Sequence, residues 1–260
     1  MESEKCHSEM SELWRNALEQ NLFPGDLVVE IGQFFQGAPY QTGTLETVGR
    51  EKLVINLAEF DCITFVEVVL ALARCSVASD LSPLAFQKNV KFIRYRQGKI
   101  DGYASRLHYF TDWLRDNEKK KVLKDITRLL PGKPQRKKIN FMTTHRDLYA
   151  GLKNEAQLRR MLLVEKNLSR KSYFIIGKDE VARKHVGIQQ GDIIAFTTDQ
   201  EGLDVAHVGF AARQGRYFHL LHASSKEGAV VISKETLGAF LKANKSFTGI
   251  IVARFHNILR

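Results

Sequence analysis

The stretch DCITFVEVVLALARC, residues 61 to 75, constrains this chain more than any other. After Asp61 the residues are almost unbrokenly apolar over a length that suits a helix better than a strand. A helix apolar on every side must be enclosed by the rest of the fold, so other elements have to wrap this one. Asp61 is a suitable N-cap, with a side-chain oxygen to accept from the first free N–H groups. Cys62 then stands in the first turn, where a polar approach becomes an apolar run.

The rest of the chain can supply the enclosure, since 260 residues at 44% hydrophobic composition can bury a sizeable core. Met10, Leu13, Trp14, Ala17 and Leu18 follow one helical face from Ser8 to about Asn21. PGD at 24 to 26 is expected to break that helix, with LVVEIGQFF as a second apolar element. QGAPYQTGTLE reads as a loop and KLVINL, 52 to 57, as a strand. Helical segments are expected around 83–97, 104–117 and 154–166. From Gly187 onward GDIIAFTT, AHVGFAAR, YFHLLHAS, AVVIS and FTGIIVARF are short, β-rich and separated by turn residues. They read as an antiparallel meander or small barrel, interrupted by one short helix in KETLGAFLKAN. The fold class is α+β.

Three cysteines, Cys6, Cys62 and Cys75, form neither a disulfide framework nor a zinc pattern. A continuous helix would hold Cys62 and Cys75 about 20 Å apart, so Cys62 is expected to be a free thiol. A thiol becomes a strong nucleophile only as thiolate. A helix N-terminus favours that charge, its free N–H groups can also hold an oxyanion, and a nearby imidazole can take the proton.

Of eight histidines, His207 opens one strand and His222 closes the next. Antiparallel pairing through the RQGR turn makes them neighbours, as a base and its orienter would be. His219 competes with His222, but alternation puts Phe218, Leu220 and His222 on one face and His219 on the other.

The formal net charge of +10 favours acidic partners, and much of it lies in NEKKKVLKD and GKPQRKK. A basic module for nucleic acid would need aromatics interleaved with those runs. None are there, and that reading leaves Cys62, His207 and His222 without a role, so no nucleic-acid partner is expected. No run of about 18 apolar residues marks an integral membrane segment. The opening MESEKCHSEMSELWRN lacks the apolar centre of a signal peptide, and SEK before Cys6 is not a lipid-modification context.

FDCITFVE, followed by AHVGFAARQGRYFHLLHASS, resembles the cysteine and histidine motifs of the NlpC-type, papain-fold hydrolases of bacterial cell wall. APY at 38–40 and GDIIAF before the histidine strand agree with it. GTLE, DCITFVE, SRLHYFTDWLRDN, INFMTTH and LLHASS are similar to one branch, the N-acetylmuramoyl-L-alanine amidase-like proteins formerly catalogued as a domain of unknown function. The resemblance runs from about residue 38 to 233 and keeps the motif order.

It implies a single papain-like catalytic domain over 1–260, with an N-terminal helical region to residue 37 and a β-rich part from 187 to 260. His207 follows Cys62 by 145 residues (207 − 62), so the form is unpermuted, and 76–186 is expected to be a mostly helical insertion. Cys62 would attack an amide carbonyl to give a thioester, with His207 as base and then acid, and His222 orienting it. Tyr40 and Asp61 would lie at the substrate. Within the insertion Arg106, Asn140, Thr144 and His145 are chemically suited to stem-peptide carboxylates. Glu67 is either structural or pocket-lining. The resemblance implies no metal and no cofactor. The implied partner is a peptidoglycan fragment or muropeptide, cut at the muramoyl–L-alanine amide or, alternatively, between D-glutamate and the diamino acid. Such a substrate places the protein in the periplasm or outside the cell, with any signal lying beyond this chain. The sequence sets no oligomeric state.

Overall fold

Asp61 begins the central helix as its composition requires. In the computed structural model, which describes residues 23–46, 49–183 and 187–256, helix α2 (Cys62–Val77) follows Asp61 directly. The Asp61 carboxylate accepts from the N–H of Ile63 at 3.1 Å and of Thr64 at 2.8 Å, and the Thr64 hydroxyl accepts from the Asp61 N–H at 2.9 Å. This capping box fixes the first turn. Ser79, with φ of 52°, ends the helix. The Ser79 N–H returns to the Ser76 carbonyl and that of Asp80 to Cys75, a Schellman closure. Between these ends Phe65 to Ala73 are all buried.

Their cover comes from both sides. Helices α1 (Pro24–Phe34) and α3 (Pro83–Arg94) pack on α2, and so does one face of an antiparallel sheet. The sheet holds eight strands among the described residues: β1 (Leu123–Asp125), β2 (Lys133–Gln135), β3 (Tyr173–Gly177), β4 (Ile193–Thr198), β5 (Val205–Gln214), β6 (Tyr217–Ser224), β7 (Ala229–Thr236) and β8 (Phe247–Phe255). Their order is β2-β3-β8-β4-β5-β6-β7, with β1 sharing an edge of β8. Further helices are α4 (Phe110–Lys119), α5 (Phe141–Thr144), α6 (Glu155–Ser169), α7 (Lys178–Arg183) and α8 (Leu237–Ala243), making eight among the described residues.

Strand alternation sorts the core into two layers. Ile193, Ala195, Val208, Phe210, Leu221 and Ala223 face α2, where Phe210 meets the edge of Phe65 at 5.8 Å. Ile194, Phe196, Ala211, Leu220, Ile250 and Val252 face the other way, against Leu237 and Leu241 of α8. A third cluster, Tyr103, Tyr109, Ile139, Met142, Leu152, Met161 and Leu168, holds the segment around α5 and α6 together.

Several expectations are corrected. KLVINL is not a strand, because side chains from α3 and the residue after it take its carbonyls. Arg94 donates to Val54 O, and the Tyr95 hydroxyl donates to Lys52 O at 3.0 Å. PGD itself opens helix α1, with Pro24 in its first turn, where a missing N–H costs nothing. The 104–117 helix begins only at Phe110, after a 3₁₀ turn at Tyr103–Ser105. The regular structure of segment 76–186 is mostly helical, with three short strands, β1 to β3, beside the helices. The helix expected from Ser8 to Asn21 lies outside the described residues.

Candidate active site

Cys62 is the first residue of α2 and remains partly exposed. Burial of its sulphur pushes the thiol up to about 12, and the Asp61 charge adds to this. The N–H groups of Val208, Cys62 and Ile63, turned to the sulphur, act in the opposite direction. The resting thiol is therefore protonated at neutral pH. Asp61 engages the N–H of Ile63 and Thr64, and its carbonyl takes that of Phe65. Of the first-turn donors at the sulphur, Ile63 N–H is shared with the Asp61 cap, while Cys62 N–H is turned to the thiol.

The contact with Val208 places the sulphur one residue from His207 along β5. This is where the sheet opens. The β5–β6 ladder runs from Gln214↔Tyr217 to Phe210↔Leu221, and beyond it His222, Ala223 and Ser224 pair with β7 alone among the described residues. The N-terminus of α2 thus meets β5 at Val208, next in sequence to His207, where β5 and β6 part.

His207 and His222 meet on the α8 side of the sheet, Nε2 of the first 2.6 Å from Nδ1 of the second, their rings nearly perpendicular at 83°. Gly209 makes the approach possible. A Cβ there would stand 2.8 Å from His222 Cβ and 2.7 Å from Leu221 O, closer than real Cβ atoms come. Burial pulls His207 down to about 3, with His222 adding, and pulls His222 down to about 4 against the charge of Glu235. Both imidazoles are neutral at pH 7. If His207 is to accept a proton at Nδ1, its Nε2 carries the hydrogen and His222 accepts it at Nδ1.

Tyr40 lies near the same thiol. Pro39 and Tyr40 lie along the end of β7, with Tyr40 N–H donating to Gly228 O at 2.8 Å, and Tyr40 bridges to Phe60 just before Asp61. Burial, then the charges at Cys62 and Asp61, raise its phenol to about 12, so it keeps its proton as a donor. The described residues 41–46 and 49–60 belong to a strap whose two ends meet beside the thiol, Gln41 N–H donating to Phe60 O at 2.9 Å.

The other residues singled out in the sequence are placed differently. Arg106 is 5% exposed and committed within the protein, to Glu46 Oε1 at 2.6 Å, Leu45 O at 3.0 Å and Glu51 Oε1 at 3.5 Å, with its guanidinium over Tyr103. Through these contacts it clamps the strap. Glu67 is a buried partner of Arg94 at 2.6 Å, so its role is structural. Asn140 precedes α5 with no side-chain cap bond; its N–H donates to Gly202 O at 3.1 Å, and its buried Oδ1 has no partner among the described residues. Thr144 and His145 are exposed and bond back to the same turn, Thr144 Oγ1 to Asn140 O at 2.8 Å and His145 Nδ1 to Phe141 O at 2.8 Å. Glu165 holds this turn through the Tyr109 hydroxyl at 2.7 Å and the Thr143 N–H at 3.0 Å. Sequence reasoning missed Glu165 and the ring of Phe240, which touches both histidines. Among the described residues no three His, Cys, Asp or Glu side chains are grouped to hold a metal ion, and no helix is long and apolar enough to cross a membrane.

Comparison with solved structures finds this fold elsewhere. An N-acetylmuramoyl-L-alanine amidase from Bacteroides uniformis is 41% identical over 89% of this chain and 98% of its own, with a TM-score of 0.83. A protein from Bacteroides fragilis, provisionally named a xylanase, is 44% identical over 86% of this chain and 99% of its own, with a TM-score of 0.81. A Legionella pneumophila protein of the DUF1460 family shares the fold at 23% identity and a TM-score of 0.70, over 98% of this chain and 95% of its own. No curated protein matches. The model of the AmiA-like family, described as N-acetylmuramoyl-L-alanine amidase-like, matches residues 30–250. The chain belongs to that family.

Proposed function

We propose that this chain is a cysteine amidohydrolase that cuts the N-acetylmuramoyl–L-alanine bond of peptidoglycan fragments. In this reading α2 and strands β4 to β8 form a papain-like, NlpC-type core, residues 76–186 are an insertion in it, and 1–260 is one catalytic domain. The observation that carries it is the hydrogen bond between His207 and His222 beside a thiol at a capped helix start. A peptidoglycan substrate puts the site of action in the periplasm or outside the cell.

The chemistry follows from the geometry. Substrate arrival excludes water and aligns the carbonyl with the thiol. His207 takes the thiol proton at Nδ1 as sulphur bonds to the carbonyl carbon. The resulting imidazolium is stabilised by the hydrogen bond to His222, and the oxyanion by the Cys62 N–H and the Tyr40 phenol. His207 then passes its proton to the alanine nitrogen, the C–N bond breaks and the stem peptide leaves. Water, deprotonated by the same imidazole, attacks the thioester; the C–S bond breaks, the N-acetylmuramoyl sugar leaves as its free acid, and the imidazolium returns its proton to the sulphur. In this reading Asp61 borders the substrate, and Asn140, Thr144 and His145 meet the stem peptide. The xylanase name of the Bacteroides fragilis neighbour requires two carboxyl groups across a cleft; the carboxylate beside the thiol, Asp61, is engaged by the helix cap.

The test is hydrolysis of purified muropeptides by the wild type and Cys62→Ala, with products weighed. Free sugar plus intact stem peptide, lost in the variant, is expected. A dipeptide left on the sugar would assign the cut to the D-glutamyl–diamino acid bond instead.

A further inference from the structure

The histidine pair lies against a wall of phenylalanines that the amide chemistry alone does not require. Phe196 of β4 stacks along His207 at 6.1 Å and 28°, and is backed by Phe247 of β8 at 4.9 Å. Phe240 of α8 completes the wall. Its centroid is 6.2 Å from His207, 5.3 Å from His222 with the rings at 79°, and 5.2 Å from Phe196. Phe196 is wholly buried, whereas Phe240 is half-buried and forms the outer side.

The chain takes particular steps to put Phe240 there. Strand β7 loses register with β6 between Ile232↔Leu221 and Thr236↔His219, leaving Ser233, Lys234 and Glu235 as a bulge. Ser233 stitches it: its hydroxyl accepts from Leu220 N–H at 3.0 Å and donates to Glu235 O at 2.7 Å, while its carbonyl meets His219 Nδ1 at 2.9 Å. The bulge turns the chain over the histidine-bearing face. Leu237 and Leu241, one turn apart, then anchor α8 in the core, and Phe240 between them falls on the imidazoles.

We infer that Phe240 is a positioning residue for the His207–His222 pair, its ring fixing the orientation of both imidazoles and shutting water from their shared hydrogen bond. The physical ground is ordinary. An edge-on aromatic contact holds the His222 ring across His207, and a dry hydrogen bond between two neutral groups is stronger than a hydrated one. The same desolvation disfavours a charge on either imidazole, in agreement with the downward direction for both. The elements packed on the pair from the wall, β4, β8 and α8, present phenyl rings. The charged or titratable neighbours are Glu235 from β7, acting on His222, and Cys62 at the Val208 amide, with Asp61 and Tyr40 beside it.

The inference builds on His207 as the base, and its test needs no substrate, so it can fail while muropeptide cleavage holds, or the reverse. The imidazole resonances of His207 and His222 are followed by NMR from pH 3 to pH 9 in the wild type, Phe240→Leu and Phe240→Ala. In the wild type and the leucine variant both rings should stay neutral to well below pH 6. In the alanine variant water enters, and the midpoint of at least one ring should rise by about one pH unit or more toward the ordinary value. Alkylation of Cys62 by iodoacetamide, read against pH, should change its profile in the same variant only. Should Phe240→Ala fail to fold, Phe240→Val opens a smaller gap and takes its place. A lowered melting temperature with both imidazole titrations unmoved would overturn the inference and leave Phe240 a packing residue.

Discussion

Replacing Gly209 with alanine tests the site geometry through a single methyl group. Gly209 sits between His207 and Ala211 on the histidine face of β5. A Cβ built there lies 2.7 Å from Leu221 O and 2.8 Å from His222 Cβ, while ordinary contact begins at 3.4 Å. The shortfall is about 0.7 Å (3.4 − 2.7) and falls on backbone, so β6 must move away from β5. Adding that displacement to the 2.6 Å between Nε2 and Nδ1 stretches the histidine bond to about 3.3 Å, beyond the usual N–H range. Overpacking of this kind costs about 1–3 kcal/mol of stability. Misplacing a catalytic base by a similar distance costs about 100-fold in rate. The assay is kcat/KM on a muropeptide beside the melting temperature. Gly238→Ala is the control, because nothing lies within 4 Å of a Cβ at that position. If Gly209→Ala kept wild-type kcat/KM with an unshifted His222 resonance, the close approach would have no bearing on the pair and the reasoning would be wrong.

Other outcomes follow from the same structure. Asp61→Asn keeps an oxygen for the cap but removes the charge that adds to burial in holding the thiol up, so Cys62 should alkylate faster at a given pH, at a stability cost within about 1 kcal/mol. Arg106→Ala removes the cation shared by Glu46 and Glu51, leaves Glu51 with the Tyr95 hydroxyl and frees the strap, which predicts a loss of about 1–3 kcal/mol in denaturant unfolding; a fall in activity with unchanged stability would instead make it a substrate contact. His207 and His222 have pKa values pulled below their ordinary 6.5. The unfolded chain therefore binds protons the folded one does not as pH drops below that value. Their contribution to stability is complete above about pH 6.5 and is lost as pH falls toward 4 and then 3. The drop in melting temperature between pH 7 and pH 4.5 should be shallower in a His207→Asn, His222→Asn double variant.

What could be read from sequence was what local rules govern. The central helix was legible because Asp61 and an unbroken apolar run leave few alternatives, and strand alternation separated His222 from His219. Neither rule reaches across the chain. KLVINL has the composition of a strand, but its carbonyls are taken by Arg94 and Tyr95, about forty positions on. Arg106 looked like a free cation because its carboxylate partners, Glu46 and Glu51, are far away in sequence. Phe240 reads as one more apolar residue of a short helix; only the bulge at Ser233, invisible in composition, sends it onto the imidazoles. The glycine of HVG gave a signal, since a glycine inside a strand often marks a close approach, but not the partner it approaches.

The central claim is that Cys62 forms a thioester with the muramoyl group. The most direct measurement mixes the protein with a muropeptide, quenches it in acid within a turnover and maps the adduct by peptide mass. The account predicts an N-acetylmuramoyl group on Cys62, absent from Cys62→Ala. Undiminished turnover by Cys62→Ala, with no adduct on any wild-type peptide, would contradict it.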